Sequence, residues 1–389
     1  FESASNHRYN TADYLAIDPM LGTEADFRQL CREAKSRGIR VILDGVFNHT
    51  GREFFAFQDI QKNRENSPYR DWYRGVNFGW GSPLGDPFGY EAWQGHFELP
   101  CLNLRNPEVR QYLFDSIQFW VDNFNIDGIR LDCANVLDFG FMKELREKTS
   151  AMKPDFWLMG EVIHGEYNRW VNPEMLHSVT NYELHKALYS GHNDHNYFEI
   201  AHNVRRLEAV GRSLYTFVDN HDEDRIASKL NNLANLFPVY QLLFTLPGIP
   251  SVYYGSEWGI EGKRSRTSDE VLRPALNLSD MLGKAPELAS HIAALGKIHT
   301  ENDAFHNGSY KELLLTNRQY AFSRSGEHGT VISAVNNDEQ PASISIPLPC
   351  AASDVVSLLP GEIPFSLENG RLSVTLPANG GAIFKLQEV

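Results

Sequence analysis

The sequence predicts an α/β fold, a parallel sheet covered by helices, with an all-β segment after it. Three observations carry this. Apolar, strand-length stretches at residues 39–43, 126–132, 156–159, 178–182, 214–218 and 249–254 recur between helical stretches. Most of these strands are rich in hydrophobic residues throughout, as strands buried on both faces are. From about residue 305 the helical spacing stops. Short strands at 320–323, 329–335, 342–346, 355–358, 372–376 and 382–386 then alternate with turns rich in Asn, Gly and Pro, as in a sandwich.

Thr23 is placed to cap a helix whose apolar positions Phe27, Leu30, Cys31 and Ala34 keep helical spacing, and Asp26 completes a capping-box pattern. Gly38 ends it. The strand at 39–43 runs into Asp44, with Asn48 and His49 in the loop beyond. Residues 50–103 change character: aromatics, Gly and Pro are frequent and periodicity is weak. A stretch this long after a strand reads as a functional excursion. Asn106 and Pro107 open the next helix, with Val109, Tyr112, Leu113 and Trp120 on one side. It feeds Ile-Asp-Gly-Ile-Arg-Leu-Asp at 126–132. A helix at 139–148 precedes the strand that ends at Glu161, and a weaker strand follows at 178–182. The strand at 214–218 ends in Asp-Asn-His-Asp (219–222), ahead of an apolar helix at 233–246 and a last buried strand.

At 389 residues the chain has room for two or three domains. Hydrophobic content of 42% and charged content of 22% suit a soluble globular protein. No apolar run reaches the roughly 20 residues that span a membrane. A net charge of −14 without a Lys/Arg block argues against nucleic acid and membrane lipid as partners, and a neutral substrate fits better. Cys31, Cys101, Cys133 and Cys350 lack metal-ligand spacing and read as free thiols of a reducing, cytoplasmic setting, one disulfide being the alternative. The chain opens on Phe-Glu-Ser-Ala-Ser-Asn-His without a start methionine, which predicts further residues upstream.

Asp44, Asp132, Glu161 and Asp222 all fall where a strand hands over to its loop, the end at which barrels of this kind collect catalytic groups. Residues two apart in a strand share a side, so Arg130 and Asp132 face the same way. A neighbouring positive charge lowers an acid's pKa, and an ionised carboxylate is a usable nucleophile. The plain alternatives are a structural ion pair and helix caps. Four acids at corresponding strand ends, with Arg130, His49 and His221 among them, exceed what capping explains. No phosphate-binding glycine loop, nicotinamide fingerprint or His-Glu-x-x-His zinc pattern occurs. Glycoside hydrolysis needs paired carboxylates and no cofactor. The aromatics of 50–103 suit stacking on sugar rings, with core packing the alternative for most of them.

Six ordered motifs give the chain a family resemblance. Asp-Gly-Val-Phe-Asn-His (44–49), Leu-Pro-Cys-Leu-Asn (99–103), Gly-Ile-Arg-Leu-Asp (128–132), Gly-Glu-Val (160–162), Phe-Val-Asp-Asn-His-Asp (217–222) and Gly-Ile-Pro-Ser-Val-Tyr-Tyr-Gly (248–255) resemble the conserved regions of the α-amylase family, glycoside hydrolase family 13. The resemblance implies a (β/α)8 TIM barrel from residues 1–49 and 104–304, an insertion subdomain at 50–103 after strand three, and a C-terminal β-sandwich at 305–389. It also implies that the first barrel strands lie upstream of residue 1.

The resemblance further implies a retaining mechanism on the α-1,4 bonds of maltodextrins. Asp132 would be the nucleophile and Glu161 the acid, then the base. Asp222 would hold sugar hydroxyls and favour ring distortion, and Arg130 would keep Asp132 ionised. His49 and His221 would donate to the same sugar and Tyr9 would stack beneath it. Asp269 and Arg273 resemble a pair that binds the next sugar.

Two departures matter. Asn135-Val136 stands where many α-amylases have Lys-His, and Cys101 where many have a calcium-binding Asp. Asn48 remains a candidate calcium ligand, but a thiol is a poor calcium partner, and no cofactor is required. The Asp-Cys-Ala-Asn-Val and Leu-Pro-x-Leu-Asn runs look closest to the neopullulanase, cyclomaltodextrinase and maltogenic amylase branch. The rival expectations are a 4-α-glucanotransferase of the same family, and a non-catalytic sugar-binding or scaffold relative.

Overall fold

The computed structural model describes residues 1–266 and 268–389, and the chain divides into two compact units, Phe1–Val179 and Thr180–Val389. In the first unit the helix Glu24–Ser36 starts at Thr23, whose hydroxyl accepts from the Asp26 amide while the Asp26 carboxylate accepts from the Thr23 amide at 2.8 Å. The chain leaves through Gly38 at φ 73°. Strands Ile42–Gly45, Gly128–Leu131, Trp157–Gly160 and Ser178–Val179 lie side by side, all parallel, in that order. The first begins later than the hydrophobic run suggests. Asp127 ties down Val41 through both its carboxylate (2.9 Å) and its amide (2.7 Å), which leaves Ile39 outside the strand. Gly128 permits the close pairing, since a Cβ there would lie 2.2 Å from the Trp157 carbonyl oxygen.

Helix Pro107–Phe124 is capped by Asn106, which accepts from the Glu108 amide at 2.8 Å, and its apolar side is buried. Trp120 on that side donates its indole N–H to the Tyr14 carbonyl at 2.7 Å and stacks on Phe1. Residues 50–103 hold a helix, Phe55–Asn63, and a two-stranded ribbon, Ala92–Trp93 with His96–Pro100. Phe54, Phe57, Trp72, Tyr73, Phe88 and Tyr90 are buried, so half of the twelve aromatics here are core, while Trp80 is 65% exposed. Asp86 gathers Arg52, Gln61, Ser82 and Tyr90 within 3.0 Å, which fixes this segment around one carboxylate.

In the second unit, Tyr215–Phe217 pairs in parallel with Ile249–Ser251. Helices Tyr182–Asn193, Tyr197–Arg206, Leu236–Thr245 and Pro286–Glu301 belong to the same unit. Beyond them the chain forms two antiparallel sheets. The larger runs Ser309–Leu315, Gln319–Gly326, Gly329–Asn336, Gly380–Glu388, Ala352–Ser357; the smaller runs Ala342–Pro347, Arg371–Leu376, Phe365–Glu368. One apolar core joins residues of both sheets, among them Ile332, Ile346, Leu376 and Phe384. A second joins Tyr320, Phe322, Val331 and Ile383 of the larger sheet to Val239, Leu243, Leu295 and Ile298 of the helices. The β segment and those helices therefore share one interior.

Six parallel strands are present, four in the first unit and two in the second, and among the described residues they make no closed eight-stranded barrel. Among the described residues the Ile42–Gly45 strand is an edge, paired only with Gly128–Leu131.

Candidate active site

In the first unit, three adjacent strands deliver carboxylates at their C-terminal ends. Asp44 pairs in register with Arg130, while Asp132 and Glu161 follow directly after Leu131 and Gly160, which are themselves paired. Arg130 reaches all three acids. Its Nη1 lies 2.6 Å from Asp44 Oδ1 and 3.5 Å from Asp132 Oδ1, and its Nη2 lies 3.3 Å from Glu161 Oε2. Asp132 and Glu161 are each 8% exposed. Burial opposes the charge on Arg130, but Asp44, Glu161 and Asp132 outweigh it and hold the guanidinium firmly protonated.

For Asp132, burial outweighs the pull of Arg130 that the sequence suggests. Burial pushes its carboxyl up to about 6; Arg130 pulls it down, Glu161 pushes it up again and the Cys133 thiol pulls it down. Desolvation outweighs the arginine because little water reaches the strand end. Cys133, at φ 51°, donates its amide to Glu161 Oε2 at 3.2 Å and its thiol to Asp132 Oδ2 at 3.1 Å.

Tyr9 is brought to this cluster, its hydroxyl donating to Asp44 Oδ2 at 3.1 Å. His49 is 1% exposed, and burial lowers its pKa to about 4, so its ring is neutral. Asn48 donates to His49 Nδ1 (3.2 Å), and Nε2 donates to the Tyr9 carbonyl (3.0 Å). Nε2 thus ties the Tyr9 segment to this strand end, while Nδ1 anchors the ring to Asn48.

The second unit holds the remaining candidate residues. Asn220 Oδ1 accepts from the Asp222 and Glu223 amides, both at 2.9 Å, which shapes the loop. His221 Nε2 lies 2.9 Å from Asp222 Oδ2, and Arg273 Nη2 lies 3.3 Å from Asp222 Oδ1. Arg273 Nε also meets Asp269 Oδ2 at 2.9 Å. Behind them sit residues that the sequence did not single out. Arg225, 0% exposed, donates to the Tyr254 carbonyl (2.6 Å), Ser256 Oγ (2.9 Å) and the Leu272 carbonyl (3.0 Å). Ser256 in turn donates to Asp219 at 2.7 Å. This chain of bonds fastens the segment next to Arg273. The only sequence signal was Asp219 closing an apolar strand, as Asp132 does.

The candidate calcium position holds one carboxamide and one thiol, and a thiol is a poor partner for calcium. The Asn48 side chain is bonded to His49, and Cys101 is a buried free thiol. Among the described residues, Asp132, Cys133 and Glu161 form a group whose ligand atoms lie within 4.8 Å of one another, but Arg130 beside both carboxylates opposes a cation there.

Known proteins resemble the chain along much of its length. The alpha-amylase catalytic domain family matches residues 1–282. The chain belongs to this family. It is 31% identical over 401 residues to a cyclomaltodextrinase of Geobacillus thermopakistaniensis (strain MAS1), covering 100% of this chain and 66% of that protein. It is 36% identical over 287 residues to neopullulanase 2 of Thermoactinomyces vulgaris, covering 71% of this chain and 48% of the relative. Among solved structures, an acarbose-soaked debranching enzyme of Nostoc punctiforme matches with a TM-score of 0.86 at 30% identity, over 99% of this chain and 84% of that one. The chain thus spans two thirds or less of these curated relatives. Family and structural likeness place its parallel strands in the TIM-barrel class.

Proposed function

We propose that the chain carries the catalytic machinery of a retaining glycoside hydrolase that cleaves α-1,4-glucosidic bonds of short maltodextrins through a covalent glycosyl-enzyme. The supporting observation is the carboxylate spacing. Oxygens of Asp132 and Glu161 lie within 4.8 Å of each other. Retaining enzymes hold their two carboxyl groups about 5–5.5 Å apart, whereas inverting ones leave about 6.5–9.5 Å for a water.

In this reading Asp132 attacks the anomeric carbon while Glu161 gives its proton to the leaving oxygen. Two acids this close do not both ionise freely, so the pair keeps one proton to deliver. Arg130 lowers the cost of the remaining charge. Once Asp132 is esterified, that charge is gone and Glu161, now ionised, accepts a proton from the incoming water. Asp222, held by His221 and Arg273, binds sugar hydroxyls. Tyr9 offers a stacking face, His49 steadies it, and Asp269 with Arg273 binds a neighbouring sugar.

The names of the relatives, a cyclomaltodextrinase and a neopullulanase, support α-glucans, cyclic ones among them, as substrate. We assign 1–49 and 104–304 to the catalytic domain, 50–103 to an insertion and 305–389 to a β domain. The four free cysteines support a reducing, cytoplasmic setting. No helix among the described residues is long and apolar enough to cross a membrane. The test is product analysis over time on maltotriose, cyclodextrin, pullulan and starch. Release of α-configured reducing sugar, lost in Asp132→Asn, is the expected result. Disproportionated oligosaccharides without net reducing sugar would favour a glucanotransferase, and turnover by Asp132→Asn at the wild-type rate would sink the assignment.

A further inference from the structure

Cys133 sits between the two acids in an uncommon backbone state. Its φ of 51° and ψ of 37° are left-handed, a region that side chains other than Gly, Asn and Asp seldom occupy. Such a conformation persists only where the surroundings hold it, and it gathers at functional sites. Here it turns the chain abruptly after the strand Gly128–Leu131 and Asp132. The Cys133 amide then points at Glu161 Oε2 (3.2 Å), and its thiol points at Asp132 Oδ2 (3.1 Å). Its carbonyl accepts from the Val136 amide at 3.0 Å, which locks the turn from the far side.

The two oxygens of Asp132 are thereby divided. Oδ1 faces Arg130 at 3.5 Å, and Oδ2 takes the thiol. The thiol contact is closer than the guanidinium contact.

We infer that Cys133 is a positioning residue for the reaction: its thiol donates to Asp132 while its amide holds Glu161, so one residue sets how both carboxylates face and steadies the negative charge on the nucleophile. The inference rests on the catalytic reading above. A thiol is a weak donor, but it donates only while protonated. Burial, then the charge of Asp132, raises the Cys133 thiol far above its ordinary range, so it stays a donor at every working pH. The charged or titratable groups facing Asp132 are Arg130, Glu161, Asp44, the Cys133 thiol and, from another element, Tyr14.

Two measurements test this. Infrared spectra of the wild type minus Cys133→Ala isolate one S–H stretching band from those of Cys31, Cys101 and Cys350. A band shifted to the frequency of a strongly hydrogen-bonded thiol, moving back as acid protonates Asp132, is expected. A band at the unbonded frequency overturns the inference. The second measurement is kcat against pH on maltotriose. Loss of the donor in Cys133→Ala should move the acid limb up by about half a unit, roughly a threefold loss on that limb. Cys133→Ser, which keeps a donor, should restore it. An acid limb that stays put in Cys133→Ala, with circular dichroism showing the variant folded, also overturns the inference. The infrared experiment needs no substrate, so a bonded thiol in a protein that cleaves no α-glucan would refute the catalytic reading and leave the contact standing.

Discussion

Replacing Arg130 with Met removes a cation shared by three carboxylates. The three arms differ in worth. The Asp44 side chain is 43% exposed, so that contact contributes about 0–1 kcal/mol despite its 2.6 Å length. Asp132 and Glu161 side chains are 11% and 10% exposed. Leaving a buried charge without its partner costs about 3–5 kcal/mol. The variant avoids most of that cost by taking up a proton. Asp132 already sits near 6, and losing an adjacent arginine raises a carboxyl by about two units. At pH 7 the ionised fraction then falls about tenfold, and kcat with it, with a larger loss at pH 6 and recovery toward alkaline pH. Initial rates on maltotriose between pH 5 and 9 would show the acid limb displaced upward. Arg130→Lys keeps the charge but not the fork, and its limb should lie between the two. An Arg130→Met enzyme with the wild-type limb and wild-type rate at pH 7 would refute the electrostatic role.

Glu161→Gln should lower kcat on maltodextrins by about 10²–10⁴-fold, yet much less on aryl glucosides whose leaving group needs no proton, whereas Asp132→Asn should fail on both. Arg225→Met strips three donations from buried acceptors, at 2.6 to 3.0 Å, and should cost about 3 kcal/mol or more in urea denaturation. If instead Arg225→Met is as stable as the wild type, the loop beside Arg273 is held by something else. Acid should weaken the fold through His49, His177 and His192, whose pKa values burial lowers to about 4. The unfolded chain takes those protons first, so their stabilisation is complete above 6.5 and is lost as pH falls toward 4. Asp132, raised rather than lowered, works in the opposite sense below 6. Thermal melts from pH 7 to 4 should therefore drop, and His192→Gln should flatten part of that drop.

The strand-end acids were readable because a hydrophobic run that stops at a carboxylate is a local signal, and because residues two apart in a strand share a side. The direction of the Asp132 shift was not readable, since desolvation depends on what covers the strand end. Helices Tyr182–Asn193 and Tyr197–Arg206 were missed for a related reason. Their buried faces include His185, His192, Tyr197 and Asn203, which read as polar until their partners are known. In Phe55–Asn63 the helical spacing is hidden among surrounding aromatics. Strand Ser309–Leu315 carries Lys311 and Glu312 and so lacks a clean apolar pattern. Cys133 gave no signal at all, because residue type alone does not announce a left-handed backbone. Arg225 gave no signal either, as an arginine is expected at the surface and this one is fully enclosed.

The interior shared by the β segment and the helices has a practical consequence. Gln241 of helix Leu236–Thr245 sends its amide to Ser333 Oγ and to the Ala334 and Ala382 carbonyls, all within 3.1 Å. From the sheet, Arg324 returns donations to the Thr245, Phe305 and Gly308 carbonyls. A stop codon near residue 305 would not trim an accessory module. It would leave Val239, Leu243, Leu295 and Ile298 facing solvent, and strand Gln241 without acceptors. Anyone seeking the smallest active fragment, or a site for a fusion partner, should work at the hairpin turn between Phe365–Glu368 and Arg371–Leu376 rather than at that junction.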